Sequence, residues 1–386
     1  MDNLRVDSQY LVRTLSDLVK INSINPSLST GGAGESEIAD YVADNLRQLG
    51  LRVETHEPQP GRISVVGKLK GRGGGRSLML NAHTDTVGVE GMKAPFSPHI
   101  RAGKLYGRGA YDMKGSLAAC MAAVKALVGE GVELGGDLLV AAVADEEYES
   151  IGTADLVQRY SVDGAIVTEP TQMKICLAHK GFSWLEVETV GRAAHGSRFE
   201  EGIDANLMMG RFLFELEALI QELTRRERHA LIGPPSMHVS KIQGGTELSM
   251  YAAACTALIE RRTLPSESEE QVVAEIQAII DRLSGADPKF KAGVESFFVR
   301  EPFEVSPDAE IVHVIETAAK NVLGDIPPYT GETYWMDSAL LSGVGIETVV
   351  IGPVGGGAHA HQEWVDLESL SQLAKLLAQA ALIYCK

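Results

Sequence analysis

The chain alternates short, unbroken apolar runs with longer stretches in which apolar residues recur every three or four positions. Near the start, Leu11, Leu15, Leu18 and Val19 fall at helical spacing among Asp, Arg and Lys, which predicts an amphipathic helix over residues 6–21. A second helix is predicted over 37–49, with Ile38, Tyr41, Val42, Leu46 and Leu49 on one face and Gly50 as its stop. Apolar runs at 51–55, 63–69 and 77–82 predict strands, the last two separated by a Gly-rich turn at 71–75. A helix of small residues follows at 116–127, then a strand at 137–144, a helix at 152–159 and a strand at 165–168. Short apolar strands alternating with helices indicate an α/β sheet whose two faces are both covered.

The pattern changes near His179. Residues 182–190 alternate apolar and polar, the mark of a strand with one face exposed. A long helix at 205–223, strands at 237–243 and 253–261, a helix at 269–283 and a strand at 290–299 complete the order β-α-β-β-α-β. That is the order of a ferredoxin-like split unit. After about Pro302 the α/β pattern resumes, with a helix at 309–322, a strand at 347–351 and a closing helix at 367–383. The expected organisation is an α/β domain over 1–178 and 303–386, carrying an inserted α+β domain over 179–302.

Composition narrows the class. A chain of 386 residues can bury two cores, and 45% hydrophobic with 23% charged residues is ordinary for a soluble protein. The net charge of −17 argues against nucleic acid or an anionic membrane as partner, although a local basic pocket still admits an anionic substrate. No signal peptide and no apolar run of spanning length is evident. The four cysteines, Cys120, Cys176, Cys255 and Cys385, are scattered and form no CxxC pair. They read as reduced, buried thiols, which makes the cytoplasm the expected location.

Five places in the α/β part put His, Asp or Glu just after an apolar strand or just before a helix. They are His83 with Asp85, Asp112, Asp145-Glu146-Glu147, Glu169-Pro170, and His359 beyond the Gly-rich turn after residues 347–351. Singly, each is an ordinary loop residue. Together they matter, because open α/β sheets bind ligands outside the carboxyl ends of their strands. Two imidazoles and several carboxylates without a thiol suit zinc or a similar divalent ion. Carboxylates crowded into one crevice repel one another unless a cation neutralises them. Asp85, two residues after His83, lies on the same face of a strand and is placed to accept the ring N–H that a metal would leave free.

These segments together resemble the acetylornithine deacetylase, succinyl-diaminopimelate desuccinylase, aminoacylase and glutamate carboxypeptidase family of metallohydrolases. The likeness rests on residues 81–87, 105–114, 145–147 with Gly152 following, Glu169-Pro170, and Gly352-Pro353 through His359 to Glu363. It runs through essentially the whole chain in order. It implies a zinc-peptidase-like catalytic domain with a mixed sheet and an inserted dimerisation domain, or lid, hence a homodimer. It implies two zinc or cobalt ions, one on His83 and Glu169, one on Glu147 and His359, with Asp112 bridging. Glu146 matches the general base, Asp85 the support of His83, and a cis peptide is expected after Asp112. His361 competes with His359 for the last position, but a family Glu falls four residues after the metal His, and Glu363 stands in that relation to His359. In the insertion, His195 resembles the family residue that stabilises an oxyanion across the dimer. Gly244 and Gly245 resemble a substrate-binding turn, and Arg262, three residues before Pro265, resembles the Arg that holds a substrate carboxylate.

Two departures stand out. Ser249 occupies the neighbourhood where the family commonly has a substrate-binding Asn, and residues 331–337 replace a Gly-Gly-Thr-Asp type segment while keeping an acid at Asp337. Trp335 reads equally as pocket wall or core. The resemblance implies an amide hydrolase acting on an N-acyl amino acid, in the manner of acetylornithine deacetylase. A desuccinylase or a di- or carboxypeptidase would use the same ligands. An inactive dimeric metal-binding protein is disfavoured by Glu146 beside Glu147. A two-metal phosphohydrolase is disfavoured because the Gly-rich segment 71–75 falls between strands, away from the crevice.

Overall fold

The computed structural model describes residues 4–386. Helices α1 (Ser8–Lys20) and α2 (Ser36–Gln48) precede strands β1 (Arg52–Gln59), β2 (Arg62–Leu69) and β3 (Leu78–His83). A small hairpin, β4 (His99–Arg101) and β5 (Lys104–Tyr106), leads to α3 (Lys114–Gly129), β6 (Leu138–Val143), α4 (Ile151–Arg159), β7 (Gly164–Val167) and β8 (Ile175–His179). Then come β9 (Gly181–Val190), α5 (Ala205–Leu223), β10 (Ser236–Gly244), β11 (Ala254–Thr263), α6 (Glu269–Ala286) and β12 (Ala292–Arg300). The chain ends with β13 (Phe303–Glu304), α7 (Glu310–Leu323), β14 (Tyr329–Glu332), α8 (Ser338–Gly343), β15 (Glu347–Val350), β16 (Gly355–Gly356), β17 (Trp364–Asp366) and α9 (Leu367–Tyr384).

Two compact units result: Met1–Leu177 with Val305–Thr330 and Met336–Lys386, and Ala178–Glu304 with Gly331–Trp335. In the first, the main sheet runs β1-β2-β6-β3-β7-β15-β8. The middle four strands are mutually parallel, β6 and β7 flanking β3, and β15 beside β7. Their carboxyl ends therefore lie side by side. Because β6 and β7 sit on opposite sides of β3, the connections diverge there, and this opens a crevice at the strand ends. Side chains alternate across the sheet. Leu78, Leu80 and Ala82 of β3 join the core under α1, α3, α7 and α9, whereas Asn81 turns the other way and donates to Thr153 of α4. Helix α3 is buried along most of its length; its Gly115, Ala118, Ala119, Ala122 and Ala123 let its neighbours pack close, and Gly115 has no room for a Cβ because the Ala110 carbonyl oxygen would lie 2.5 Å away.

The second unit has the sheet order β10-β11-β9-β12, all pairs antiparallel. Leu185 and Val187 of β9 and Ala257 and Ile259 of β11 share one face with Met208 and Phe212 of α5 and Ile276 and Ile280 of α6. Asp204 caps α5 by accepting from the Asn206 and Leu207 amides, and a Ser268–Gln271 capping box starts α6. Gly331–Trp335 also belongs to this unit, although the sequence pattern groups it with the resumed α/β part. The reason is Trp335, which is buried, donates through Nε1 to the Glu301 carbonyl and meets Phe182 edge-on at 6.4 Å. Among the described residues no helix is long and apolar enough to cross a membrane, and all four cysteines are buried and free.

Candidate metal centre

Each candidate ligand leaves the end of a strand or the lip of a loop in the first unit. His83 is the last residue of β3, Glu146 and Glu147 follow β6, Glu169 follows β7, and His359 lies in the loop between β16 and β17. Asp112 stands just before α3, and the Asp112–Met113 peptide is cis. The crevice brings these side chains together in two halves that share one carboxylate. Asp112 Oδ1 lies 3.1 Å from His83 Nε2, and His83 Nε2 lies 3.6 Å from Glu169 Oε1. On the other side, Asp112 Oδ2 lies 3.4 Å from His359 Nε2, which is 3.0 Å from Glu147 Oε2. His361 instead lies beside Gly91, where a Cβ would come 3.1 Å from its ring.

Charge explains what such a cluster requires. Burial, and then Glu169, push the Glu146 carboxyl well above its usual range. Burial also raises Glu169 and Glu147, with Asp112 adding to both. The imidazoles are raised as well, which favours their charged form. Burial opposes the charged form of His83, yet Glu169 and Asp112 hold its pKa well above the ordinary value. His359 is raised to about 10 by its bonds to Asp112 and Glu147. Asp112 is buried, but His359 and His83 hold it below the usual range. Carboxylates this close stay ionised only beside compensating positive charge. Among the described residues, two donor sets have ligand atoms all within 4.8 Å of one another: His83, Asp112 and Glu147, and His83, Glu146 and Glu169. Nitrogen and oxygen donors without thiolate fit divalent ions of the zinc type, so these residues could hold metal.

The supports of the candidate ligands are as well defined. His83 Nδ1 is 3.0 Å from the Asp85 backbone carbonyl and 3.6 Å from its carboxylate, so the ring's nearer acceptor is main chain. The Asp85 carboxylate has other work: it accepts the Glu146 and Glu147 amides at 3.1 and 3.2 Å. Glu363, 1% exposed, takes Arg108 Nη1 and the Gly109 amide on one oxygen and the Tyr111 and Asp112 amides on the other, at 2.7 to 3.0 Å. It thereby ties the His359 loop to the loop that presents Asp112. Asp337 accepts from Thr153 Oγ1 at 2.6 Å, and burial raises its pKa to about 6.

Residues 79–383 match the profile of peptidase family M20/M25/M40. The chain belongs to that family. It is a hydrolytic enzyme. It is 30% identical to the N-formyl-4-amino-5-aminomethyl-2-methylpyrimidine deformylase of Bacillus subtilis, over 90% of this chain and 89% of that one. It is 29% identical to the acetylornithine deacetylase of Myxococcus xanthus, over 96% and 97%. Its fold superposes on the aminopeptidase PepT of Bacillus cereus with a TM-score of 0.81 at 19% identity, covering 100% of both chains.

In this M20 chain the remaining candidates lie in the second unit. His195 sits in an exposed loop with Nδ1 2.8 Å from Ser197 Oγ. Gly244 ends β10, where a Cβ would strike Asn206 Oδ1, and Gly245 takes φ +78°, a left-handed conformation open to glycine. The carbonyl of Ser249 accepts the Gly196 amide. The Arg262 guanidinium is half-buried, donates to Glu260 at 2.7 Å and lies 5.1 Å over the Phe182 ring.

One backbone contact is testable by itself. A Cβ on Gly352 would fall 2.0 Å from the Glu169 carbonyl oxygen. That neighbour is main chain and cannot rotate aside. Gly352→Ala is expected to cost about 1–3 kcal/mol of stability through overpacking, and to weaken metal binding by displacing Glu169. Thermal denaturation with a metal titration checks both; wild-type values in both would show that the loop yields freely.

Proposed function

We propose that this M20 enzyme hydrolyses the amide bond of an N-acyl amino acid, acetylornithine being the first substrate to try. Two divalent ions, zinc before cobalt, would be held here, one by His83 and Glu169 and one by Glu147 and His359, with Asp112 available to both. The observation that carries this reading is the reach of Asp112, whose two oxygens lie 3.1 and 3.4 Å from the two imidazoles. Bound there, such a pair supplies Lewis acidity for the carbonyl and a water acidic enough to ionise near neutral pH.

The chain's own groups do the rest. Glu146 accepts the proton of the attacking water and returns it to the leaving nitrogen. Arg262 docks the substrate carboxylate through planar, charge-assisted hydrogen bonds. His195 donates to the developing oxyanion, where a positioned donor contributes several kcal/mol, about 2.7–4 in the best-measured cases. Gly244, Gly245 and Ser249 offer main-chain and hydroxyl contacts to substrate. A homodimer belongs to this reading, with His195 acting across it. Leu207 and Phe214, seven positions apart on one side of α5, are 71% and 74% exposed, an apolar stripe that a second copy would cover. Four buried free thiols suit the cytoplasm.

Deacylation is favoured over peptide cleavage because two relatives that span nearly the whole chain are named for removing an acyl group from an amine. The test is a panel of N-formyl, N-acetyl and N-succinyl amino acids, an N-formyl aminopyrimidine and dipeptides, with zinc or cobalt and against a chelator-treated control. Chelator-sensitive turnover is expected to be highest on an N-acyl amino acid. Preference for a dipeptide would replace deacylase by peptidase, and no chelator-sensitive turnover on any member would overturn the amide reading.

A further inference from the structure

A buried polar network that the spacing of the motifs does not reveal joins Asn25, Glu35 and Arg62 to the loops after β3 and β6. Glu35, at the N-cap of α2, is 0% exposed, and Arg62, the first residue of β2, is 5% exposed. Arg62 clasps Glu35 at two points, Nε to Oε2 at 2.7 Å and Nη2 to Oε1 at 2.6 Å. The same Nη2 lies 2.7 Å from Asp145 Oδ1. Asn25, also fully buried, donates from Nδ2 to Asp85 Oδ2 at 2.8 Å and to Asp145 Oδ1 at 3.0 Å. Asn25 and Arg62 thus both reach Asp145, Asn25 also reaches Asp85, and Glu35 acts through Arg62.

What these two carboxylates do next is the point. Asp145 is the first residue of the turn after β6 and is left-handed, φ +69°. A non-glycine residue holds that conformation when its surroundings over-determine it, and Asp tolerates it better than most. Here Oδ2 of Asp145 accepts the Glu149 and Ile151 amides, closing the turn on itself. Asp85 accepts the Glu146 and Glu147 amides. The network therefore ends on the backbone of the two residues that face the metal site, not in the apolar core. A guanidinium fixed at two points has a set plane, so the clasp on Glu35 holds Nη2 at its 2.7 Å contact with the Asp145 carboxylate.

We propose that Arg62, oriented by Glu35, is a positioning residue that sets the 145–147 turn and so the aim of Glu146 and the reach of Glu147. This rests on the functional reading above for what those two glutamates do. It goes beyond that reading in placing part of the catalytic geometry in β2 and the N-terminus of α2. The alternative is a staple, in which the ion pair merely fastens α2 to β2.

The two roles separate in a set of variants: Arg62→Lys, Arg62→Gln and the double variant Glu35→Gln with Arg62→Gln. Lysine keeps the charge but loses the two-point clasp. The double variant removes both members of the ion pair, so Glu35 is no longer left buried and unpaired, and is expected to recover melting temperature relative to Arg62→Gln. If Arg62 positions the turn, metal affinity in calorimetry should stay about 10–100-fold weaker in the double variant, as for other outer-shell changes. On the best substrate of the panel, kcat should fall at least about 10-fold with KM within about twofold in Arg62→Lys, whose fold is the safest of the three. A double variant with wild-type metal affinity, or an Arg62→Lys enzyme with wild-type kcat, overturns the proposal and leaves a staple. The metal titration needs no substrate, so it still judges the turn if the wild-type enzyme turns over nothing in the panel, a result that would overturn the amide reading alone.

Discussion

Asp112→Ala is expected to lose both metal ions and, with them, all measurable turnover. The residue is singular because its two oxygens serve different halves of the site, Oδ1 toward His83 and Oδ2 toward His359. Its removal leaves His83 with Glu169 on one side and His359 with Glu147 on the other. Neither pair alone makes a complete site, since tetrahedral ions of the zinc type take three protein ligands at the least. Outer-shell changes already cost about 10–100-fold in metal affinity, so deletion of a shared inner ligand should cost more at each position. The fold should survive. The loop is held by backbone amides bonded to Glu363, and those bonds do not use the Asp112 side chain. Metal analysis after gel filtration, with thermal denaturation as a control for folding, checks the prediction. Two ions per chain in a folded Asp112→Ala protein would contradict a bridging role.

How much of this was legible in the sequence depends on the kind of residue. His83, Glu146, Glu147 and Glu169 stand at the exits of apolar runs, and an apolar run of four to six residues is readable as a strand. Their convergence was arguable from that alone. The order of the strands was not: nothing in residues 78–83 says that β6 will lie on one side of β3 and β7 on the other, which is what opens the crevice. Strands β4, β5, β16 and β17 have two or three residues each, too few to show a period. Ile175–His179 escaped for another reason, since Cys176 and Ala178 dilute its apolar signal and the preceding loop masks its start. Asp85 shows a subtler limit. Its spacing from His83 puts it on the right face, but only the folded chain shows that its carboxylate holds the 146 and 147 amides while its main chain serves the ring.

The supporting residues were the least readable. Asn25, Glu35 and Arg62 carry no spacing relation to the site, and a charged residue at a helix start or strand end is usually solvated. Their burial is a tertiary fact. The same holds for Glu363, which the motif spacing marks only as a companion of His359, and whose four donors come from residues about 250 positions earlier in sequence. Candidate ligands announce themselves by residue type and strand position, whereas the groups that hold them in place are found only when the chain closes around them.

Glu146→Gln tests the chemistry that all of this supports. Glu146 is the one acid of the crevice for which two roles compete. Its carboxylate lies within 4.8 Å of donor atoms on His83 and Glu169, close enough to be counted with them as a ligand set. Yet it forms none of the close ion pairs that join His83, Glu169, Asp112, His359 and Glu147 into two halves. That leaves it facing the cluster without being one of its fixed points, as a proton carrier must. Glutamine keeps the shape and the backbone bonds to Asp85 but can neither take nor return a proton. A general base contributes about two to four orders of magnitude, so with Glu146 in that proposed role kcat should fall by that factor while two metal ions remain and KM changes little. Metal stoichiometry and steady-state kinetics on the same preparation separate the two roles. Loss of an ion along with activity would make Glu146 a ligand, and retention of most activity would move the base elsewhere, with Asp337, 1% exposed and raised to about 6 by burial, the next acid to replace.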